Sequence, residues 1–348
     1  MKKTLLAAAM VVTASVGHAQ AAKTTSPYEI YGMIDTSIQS YSTGGQRLTR
    51  HNDNGYNVSR LGFRGSEDLG KGLRALFNLE GQLNPSIGSI GGTSPATNEI
   101  FNREAWVGLS GRFGEIRTGR TDVSMASNLD AFSTFRAHWN ITPINGTPLE
   151  IGIQQKNTIR YTTPRVAGLQ AMVGYASGNN HGTNTDADAS QTGASVTYIA
   201  GPFKAAVGYH KNNASTKAGE RDMQGISAAY DLGFAQISAL HIRGDNSTTG
   251  SVSSRASTAG LTLPLPQAMA VSVHYHTTTA GEHASNNNGH GAIFGVTKDL
   301  SKRTRLYGGY ALVYNQANSA MFMNNVTTAP SAAGLDTKAT FVGVNHTF

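Results

Sequence analysis

Basic side chains recur at alternate positions in several short stretches of the sequence. Rings of positive side chains around a wide aqueous passage favour anions over cations. Ten basic residues share the polar faces of such stretches: Arg60, Arg64, Arg74, Arg103, Arg117, Lys156, Arg160, Lys204, Arg303 and Arg305. Four acidic residues lie on the same faces: Glu29, Asp35, Glu80 and Glu115. This excess predicts an electrostatic filter that attracts anionic solutes and performs no covalent step.

Other chemically suggestive motifs are incomplete. His274 and His276 could begin a metal site, but two ligands without a third do not hold an ion. We expect them to be solvated imidazoles that gain charge below neutral pH and raise the preference for anions. Gly70-x-Gly72-x-x-Ala75 matches a dinucleotide fingerprint, but it opens a strand and lacks the required strand-helix-strand context. The sequence therefore predicts no catalytic residue, cofactor or metal.

The elements that carry these residues alternate apolar with polar side chains. Between Tyr28 and Tyr41, for example, Ile30, Ile34 and Ile38 fall on one face. Successive side chains of a β-strand point to opposite sides, so one face is apolar and the other wet. Sixteen such strands are predicted, at about 28–41, 56–66, 72–83, 101–110, 114–120, 156–164, 168–177, 191–199, 203–212, 222–231, 234–243, 255–263, 268–277, 290–299, 303–315 and 337–348.

The connections between these strands are alternately short and long. Tight turns such as 110–113 and 263–267 alternate with longer polar connections such as 42–55, 84–100 and 316–336. This asymmetry is typical of outer-membrane barrels. Because lipid cannot satisfy unpaired strand edges, the sheet must close. The predicted fold is all-β, a 16-stranded antiparallel transmembrane β-barrel. A soluble sandwich or solenoid is the alternative, but the chain has no fixed-period repeat and no second buried face.

Composition agrees with an exported all-β chain. The 348 residues include no cysteine, which excludes a disulfide framework and a thiolate metal site. Charged residues make up 14% of the chain. Residues 1–21 combine Lys2 and Lys3 with a short apolar run and small residues, as a secretory signal peptide does. Cleavage is expected before Gln20 or Ala22. Removing the two lysines changes the formal charge from +7 to 7 − 2 = +5, and residues 22–348 form one predicted domain.

Several sequence stretches resemble the Gram-negative general porins, most closely the β-proteobacterial trimeric outer-membrane porins. The resemblance spans the mature chain. The matching stretches are Tyr31-Gly32-Met33-Ile34-Asp35, residues 59–70 (SRLGFRGSEDLG), residues 101–109 (FNREAWVGL), Asn157-Thr158-Ile159-Arg160-Tyr161, Leu300-Ser301-Lys302-Arg303-Thr304 and the terminal residues 342–348 (VGVNHTF).

The resemblance implies a homotrimeric diffusion channel in the outer membrane, with the third long loop, residues 121–155, folded into the lumen as a constriction. Its expected partners are outer-membrane lipid and lipopolysaccharide, the barrel-assembly machinery that would read Phe348, and small, preferentially anionic solutes. A nucleic-acid partner is not expected. The expected pore-lining and constriction residues are Arg60, Arg103, Arg117, Asp130, Arg136, Lys156, Asp35, Arg64 and Arg74.

Three other functions of an outer-membrane barrel remain open from sequence alone. A barrel enzyme would gather its catalytic residues at one rim, whereas the histidines here are scattered. A substrate-specific porin for sugars would carry a track of aromatic side chains along the polar face, and no such stripe is evident. An adhesin is the third alternative. We therefore expect a general diffusion channel rather than an enzyme.

Overall fold

A computed structural model describes residues 27–91, 99–123, 125, 129, 154–177, 190–213, 221–246, 252–280, 287–321 and 332–348. The predicted signal peptide lies outside these residues, as do most of the loop 121–155 and its charged residues Asp130 and Arg136. Among the described residues, no helix is long and apolar enough to cross a membrane.

Strands make up most of the described chain, and every pair of neighbours is antiparallel. They are β1 (Tyr28–Thr43), β2 (Gln46–Asp53), β3 (Arg60–Gly70), β4 (Leu73–Asn84), β5 (Ser89–Ile90), β6 (Glu104–Gly111), β7 (Gly114–Asp122), β8 (Gln154–Thr162), β9 (Leu169–Ala176), β10 (Gln191–Ala200), β11 (Phe203–Asn212), β12 (Arg221–Asp231), β13 (Gln236–Asn246), β14 (Val252–Leu265), β15 (Met269–Ala280), β16 (Asn288–Asp299), β17 (Thr304–Asn315) and β18 (Thr337–Thr347).

The sheet closes on itself because β1 pairs with the last strand, β18, on one edge. On its other edge, β1 pairs with β2 along its second half and with β3 along its first half. β2 and β3 therefore form one wall strand, interrupted at residues 54–59, and β5 is a short ribbon at the end of β4. The described wall thus has sixteen strands, which confirms the predicted antiparallel barrel.

Two predicted connections were wrong. Residues 42–55 were expected to be a long loop, but β1 continues to Thr43 and returns as β2 after a tight turn at Gly44 and Gly45. Both turn glycines have positive φ, which side chains rarely adopt. The turn predicted at 263–267 is also shorter, since β14 runs through Leu265. In both places the polar or proline-containing sequence is still paired as strand.

The two faces of the wall follow the predicted alternation. On β1, Ile34 and Ile38 point outward and are exposed, whereas Asp35 and Gln39 point inward and are buried. Strands β13, β14 and β16 also present apolar residues outward, at Ile237, Leu261 and Phe294, respectively. Exposed aromatic side chains collect toward the short-turn end (Phe113, Phe203 and Phe234) and toward the long-loop end (Tyr175, Tyr209 and Tyr314), like the girdles of membrane barrels.

The seam between the first and last strands is held by the carboxylate of Asp35. Its Oδ1 accepts hydrogen bonds from the Tyr56 backbone at 3.0 Å and the Tyr307 hydroxyl at 2.7 Å. Its Oδ2 accepts from the Asn57 backbone at 3.2 Å and the Asn345 amide at 2.8 Å. These donors lie on the 54–59 interruption, β17 and β18, so one side chain ties together the elements that meet at closure.

The same contacts correct the predicted role of Asp35. Alternation placed it on the lumen face and suggested a pore-lining charge, but the side chain has no exposed surface. Its two oxygens are committed to four donors, and its backbone N–H also bonds the Ser59 hydroxyl at 2.9 Å. Asp35 is therefore a structural residue of the seam and takes no part in lining the passage.

Replacing Asp35 with Asn tests this assignment. The amide would place a donor against two other donors, and each buried donor that loses its acceptor costs about 1–3 kcal/mol, so we expect about 2–4 kcal/mol of lost stability. The measurement is the urea midpoint of unfolding together with the temperature at which the folded form disappears on SDS gels. Asp68→Asn, at the exposed end of β3, is the matched control. Equal midpoints for D35N and wild type would contradict the assignment.

Candidate pore-constriction site

Three charged residues on neighbouring strands form the charge cluster of the lumen wall. Arg60 begins β3, Glu80 lies on β4 and Arg103 immediately precedes β6. The Arg103 Nε lies 2.6 Å from Glu80 Oε1, and the Arg60 Nη1 lies 3.9 Å from the same oxygen. Glu80 Oε2 accepts a hydrogen bond from the Tyr31 hydroxyl at 2.8 Å. Two guanidinium groups thus share one carboxylate, and the cluster has a net charge of +1.

The guanidinium of Arg60 is fixed by contacts other than Glu80. Its Nη2 donates to Asn57 Oδ1 at 2.7 Å and its Nε donates to the Val58 carbonyl at 2.9 Å. Both partners belong to the interruption between β2 and β3, whose shape depends on Asp35. The planar fork of arginine suits such a fixed arrangement better than a flexible lysine ammonium. The seam and the charge cluster are therefore mechanically linked.

Two further arginines extend the basic surface from the charge cluster toward the short-turn end. The Arg64 guanidinium lies 4.6 Å from the centre of the Tyr31 ring, and its Nε lies 2.8 Å from Glu29 Oε2. Arg74 follows the first residue of β4 and bonds the Ser66 hydroxyl. Both face the lumen. Arg74 lies at the short-turn mouth rather than at mid-height.

Arg117 faces the lumen but is buried in the wall. Its guanidinium lies 3.9 Å from the centre of the Trp106 ring and is paired with Glu115. Arg160 is directly opposite on β8, and its Nη1 donates to the Asp122 carbonyl at 3.1 Å. Asp122 is the last residue of β7. This pair of arginines therefore braces the point where the chain leaves the wall to begin the loop 121–155.

The described start of that loop lies inside the barrel. Val123, Met125 and Leu129 are at most 1% exposed. Met125 and Leu129 belong to one hydrophobic cluster with Met223 of β12 and Ile242 of β13, whose side chains point inward. The loop therefore crosses the inner surface of strands that stand across the lumen from β3, β4 and β6. The in-folded third loop of the predicted fold is confirmed for these residues.

Lys156 does not face the lumen, contrary to the prediction. Gln155 pairs with Thr121 and Thr158 pairs with Gly119, so the register shifts between them. Lys156 bonds Glu99 and lines an outer crevice with Thr118. Thr118 pairs with Val107 and Ile159, which are both exposed on the outer face. A bulge of one residue flips the following side chain to the other face.

The histidine pair also differs from its prediction. His274 and His276 lie on the lumen side of β15, but their side chains are 0% and 2% exposed, so they are buried and not solvated. The His276 Nδ1 lies 2.9 Å from the Thr258 hydroxyl, and the two rings stack with centroids 6.5 Å apart. Within the described ranges, no group of three or more potential ligands could hold a metal ion.

The remaining basic residues of the predicted lumen set lie near the short-turn end. Arg305 bonds Asp299 and donates to the Tyr56 hydroxyl at 2.6 Å, and Lys204 is the second residue of β11. Arg303 lies in an exposed turn rather than on a strand face. Glu104 was missed. It shares the inward parity of Trp106 on β6, so the alternation of that strand could have identified it.

Comparisons with known proteins agree with this geometry. A family model described as Gram-negative porin matches residues 6–318. The chain belongs to the Gram-negative porin family. Outer membrane porin protein 32 of Delftia acidovorans is 30% identical over 365 aligned residues that cover 100% of both chains. An outer membrane porin protein of Bordetella pertussis is 27% identical over 89% of this chain and 94% of its own.

A solved structure has the same architecture as this porin. The anion-selective porin from Comamonas acidovorans superposes with a TM-score of 0.78 at 28% identity, covering 92% of this chain and 99% of its own. The resemblance inferred from the sequence is thereby confirmed, and so is the outer membrane of a Gram-negative cell as the location of this porin.

The outward position of Lys156 has a direct electrical consequence. Lys156→Gln should leave the reversal potential of the porin in a salt gradient unchanged, because the removed charge lies on the far side of the wall. The substitution should instead free Glu99, whose pKa the hydrogen bond from Lys156 holds below its ordinary value. A loss of anion preference in K156Q comparable to that of a lumen arginine variant would mean that Lys156 faces the pore.

Neutralising Glu80 should have the opposite sign to neutralising an arginine. Glu80→Gln leaves Arg60 and Arg103 without their shared counter-charge, which raises the cluster from +1 to +2. We expect the anion-to-cation permeability ratio to rise by about twofold, a shift smaller than the ~1 kcal/mol between unit charges 4 Å apart in water. Bi-ionic potentials in KCl provide the measurement, and a shift toward cations would contradict the assigned geometry.

Proposed function

We propose that this porin passes small hydrophilic solutes and ions by passive diffusion, with a weak to moderate preference for anions. The observation that carries the proposal is the charge cluster, in which Arg60 and Arg103 share the single carboxylate of Glu80 on the lumen wall. The 28% identical porin from Comamonas acidovorans, which is anion-selective, supports the same sign of selectivity.

The cluster acts on ions without binding them tightly. Two unit charges 4 Å apart in bulk water interact by about 1 kcal/mol, which corresponds to about a fivefold difference in local concentration. Arg60 is held by Asn57 and Val58, so its charge stays in place while ions pass. The expected selectivity is therefore a bias of a few fold and not an exclusion of cations.

The loop 121–155 completes the proposed constriction. The burial of Met125 and Leu129 against the inner wall supports a course across the lumen. Asp130 and Arg136 follow on the same loop and are proposed to face the passage. Together with the basic wall they would create a transverse field. Arg64, Arg74 and Arg117 are proposed to contribute less, because Arg117 is paired with Glu115 and Arg74 lies at the mouth.

We also propose a homotrimer that is assembled from the C-terminal end. The N–H and C=O of Phe348 pair with the C=O and N–H of Gly32, each at 3.1 Å. Its ring lies on the outer face with Val342, and this exposed position suits recognition by the barrel-assembly machinery. Lipopolysaccharide is the proposed partner of the lipid-facing wall. In the mature protein, residues 22–348 would form one barrel after removal of the signal peptide, with no enzymatic activity.

Planar bilayers containing the refolded porin test this function. Wild type should form open channels that close in three equal steps, with a reversal potential on the anion side in a KCl gradient. Arg60→Gln with Arg103→Gln should reduce the permeability ratio by about two- to fivefold, since the lost interaction is about 1 kcal/mol or less. Lys156→Gln, which removes one positive charge from the outer face of the wall, is the control.

Two results would contradict the proposal. An R60Q/R103Q variant with the selectivity of wild type would show that the charge cluster does not face the passage of ions. Wild-type protein that folds but does not conduct would remove the diffusion function itself. Single closing steps would contradict the trimer alone.

A further inference from the structure

The inner wall carries a set of glycines beside its arginines, since Gly174 of β9 pairs with Arg160 of β8. Four successive strands each place a glycine inward: Gly174 on β9, Gly193 on β10, Gly208 on β11 and Gly225 on β12. Gly174 pairs directly with Gly193, and Gly208 pairs directly with Gly225. Gly193 pairs with His210 and Gly208 pairs with Ser195, so the two glycine pairs are offset by two residues and form a stepped shallow band inside the barrel.

The start of the loop 121–155 occupies this band. A Cβ added at Gly174 would lie 2.7 Å from Val123 Cγ1, and one at Gly193 would overlap the Val123 carbonyl oxygen. A Cβ at Gly208 would lie 2.5 Å from Met125 Cβ. A Cβ at Gly225 would lie 2.6 Å from Leu129 Cδ1. Each loop residue thus rests where a wall side chain would otherwise stand.

Backbone conformation does not explain these glycines. None of the four has φ in the left-handed region, so an alanine could adopt the same backbone. Glycine weakens a strand interior because it has no side chain to pack, and it often marks a close approach of another backbone. The space above the wall is therefore the reason for glycine at all four positions.

Neighbouring side chains set the direction of the loop across the band. His210 pairs with Gly193 and with Met223, so two large inward side chains continue the first glycine row. Val123 lies on the first row, at Gly174 and Gly193. Met125 and Leu129 lie on the second row, at Gly208 and Gly225. Met125, Leu129 and Met223 then pack in one buried cluster.

We propose that Gly174, Gly193, Gly208 and Gly225 form a glycine seat that positions the loop and thereby sets the cross-section of the pore, an inference that rests on the proposed channel function. None of the four glycines needs to touch a passing solute. Val123, Met125 and Leu129 lie close to β9–β12 because these strands leave room for them, and we infer that the lumen beyond them stays correspondingly wide.

A Cβ added to the wall, with and without the opposing side chain of the loop, tests the seat. Gly208→Ala places two Cβ atoms 2.5 Å apart. Non-bonded carbons rest at about 3.5 Å or more, so the loop must move about 1 Å into the lumen. Met125→Gly removes the opposing Cβ together with the rest of the methionine side chain, so the double variant no longer contains the close contact. Gly308→Ala is the control, since its nearest neighbour would lie 3.2 Å away and belongs to the wall strand β18.

The readouts are single-channel conductance and the rate at which neutral sugars of increasing size enter liposomes. G208A should lower conductance and exclude the larger sugars, because the loop start moves about 1 Å into the lumen. G208A/M125G should restore both, and G308A should resemble wild type. The thermal stability of every variant on SDS gels shows that the barrel itself is intact. Unchanged conductance in a folded G208A, or no rescue in the double variant, would overturn the proposal.

A chemical cross-link separates the seat from the channel function. The chain has no cysteine, so Gly208→Cys with Met125→Cys introduces the only two thiols, with Cβ atoms close enough to relax into a disulfide. Oxidised, refolded protein should contain one intramolecular disulfide, detected as a loss of free thiol in the monomer. This result does not require conductance. Two free thiols after oxidation would show that the loop does not lie on the seat.

Discussion

Closure of the sheet is the constraint on which the rest of this porin depends. A membrane offers no partner for the unpaired N–H and C=O groups of a strand edge, so β1 must find β18 for either strand to be stable in lipid. The Asp35 carboxylate sits at this junction and accepts hydrogen bonds from residues of β17, β18 and the interruption between β2 and β3. The same interruption supplies the atoms that hold Arg60. The seam therefore supports both the wall and the electrostatics of the lumen.

The inward-facing residues of the closed wall differ from one group of strands to another. Strands β3, β4 and β6 carry long charged side chains that share hydrogen bonds, and strands β9–β12 carry glycines on which the loop start rests. An in-folded loop needs volume, and a solute path needs charge that stays solvated. Glycines lie under the loop start and arginines lie on other strands of the same wall, so one period-2 pattern satisfies both needs. The proposed constriction would thus depend on several strands of the wall and not on the loop alone.

Much of this could be predicted from the sequence because a period of two residues fixes the face of each side chain. The strands and outward residues such as Ile34 and Ile38 followed from alternation alone. The burial and the hydrogen-bond partners of each side chain did not follow from alternation. Asp35 has the parity of a lumen residue, but four donors bury it, and His274 and His276 face inward without being solvated. The outward position of Lys156 was not predicted because a bulge beside Asn157, whose φ is 53°, interrupts the alternation of faces. The hairpin of β1 and β2 was not predicted because its polar sequence lacks an apolar face.

The four glycines can be read from the sequence, but alternation gives no reason to expect that Gly174 and Gly225 lie near the same loop. Only the register of four strands brings them into one band. The central claim is that fixed lumen charges bias the passage of ions electrostatically. The most direct test is the reversal potential of the wild-type porin under a tenfold KCl gradient, repeated at rising mean salt. We expect anion selectivity at low salt that fades as the Debye length falls from about 30 Å at 0.01 M to about 3 Å at 1 M. Cation selectivity, or a preference that does not depend on salt, would contradict the account.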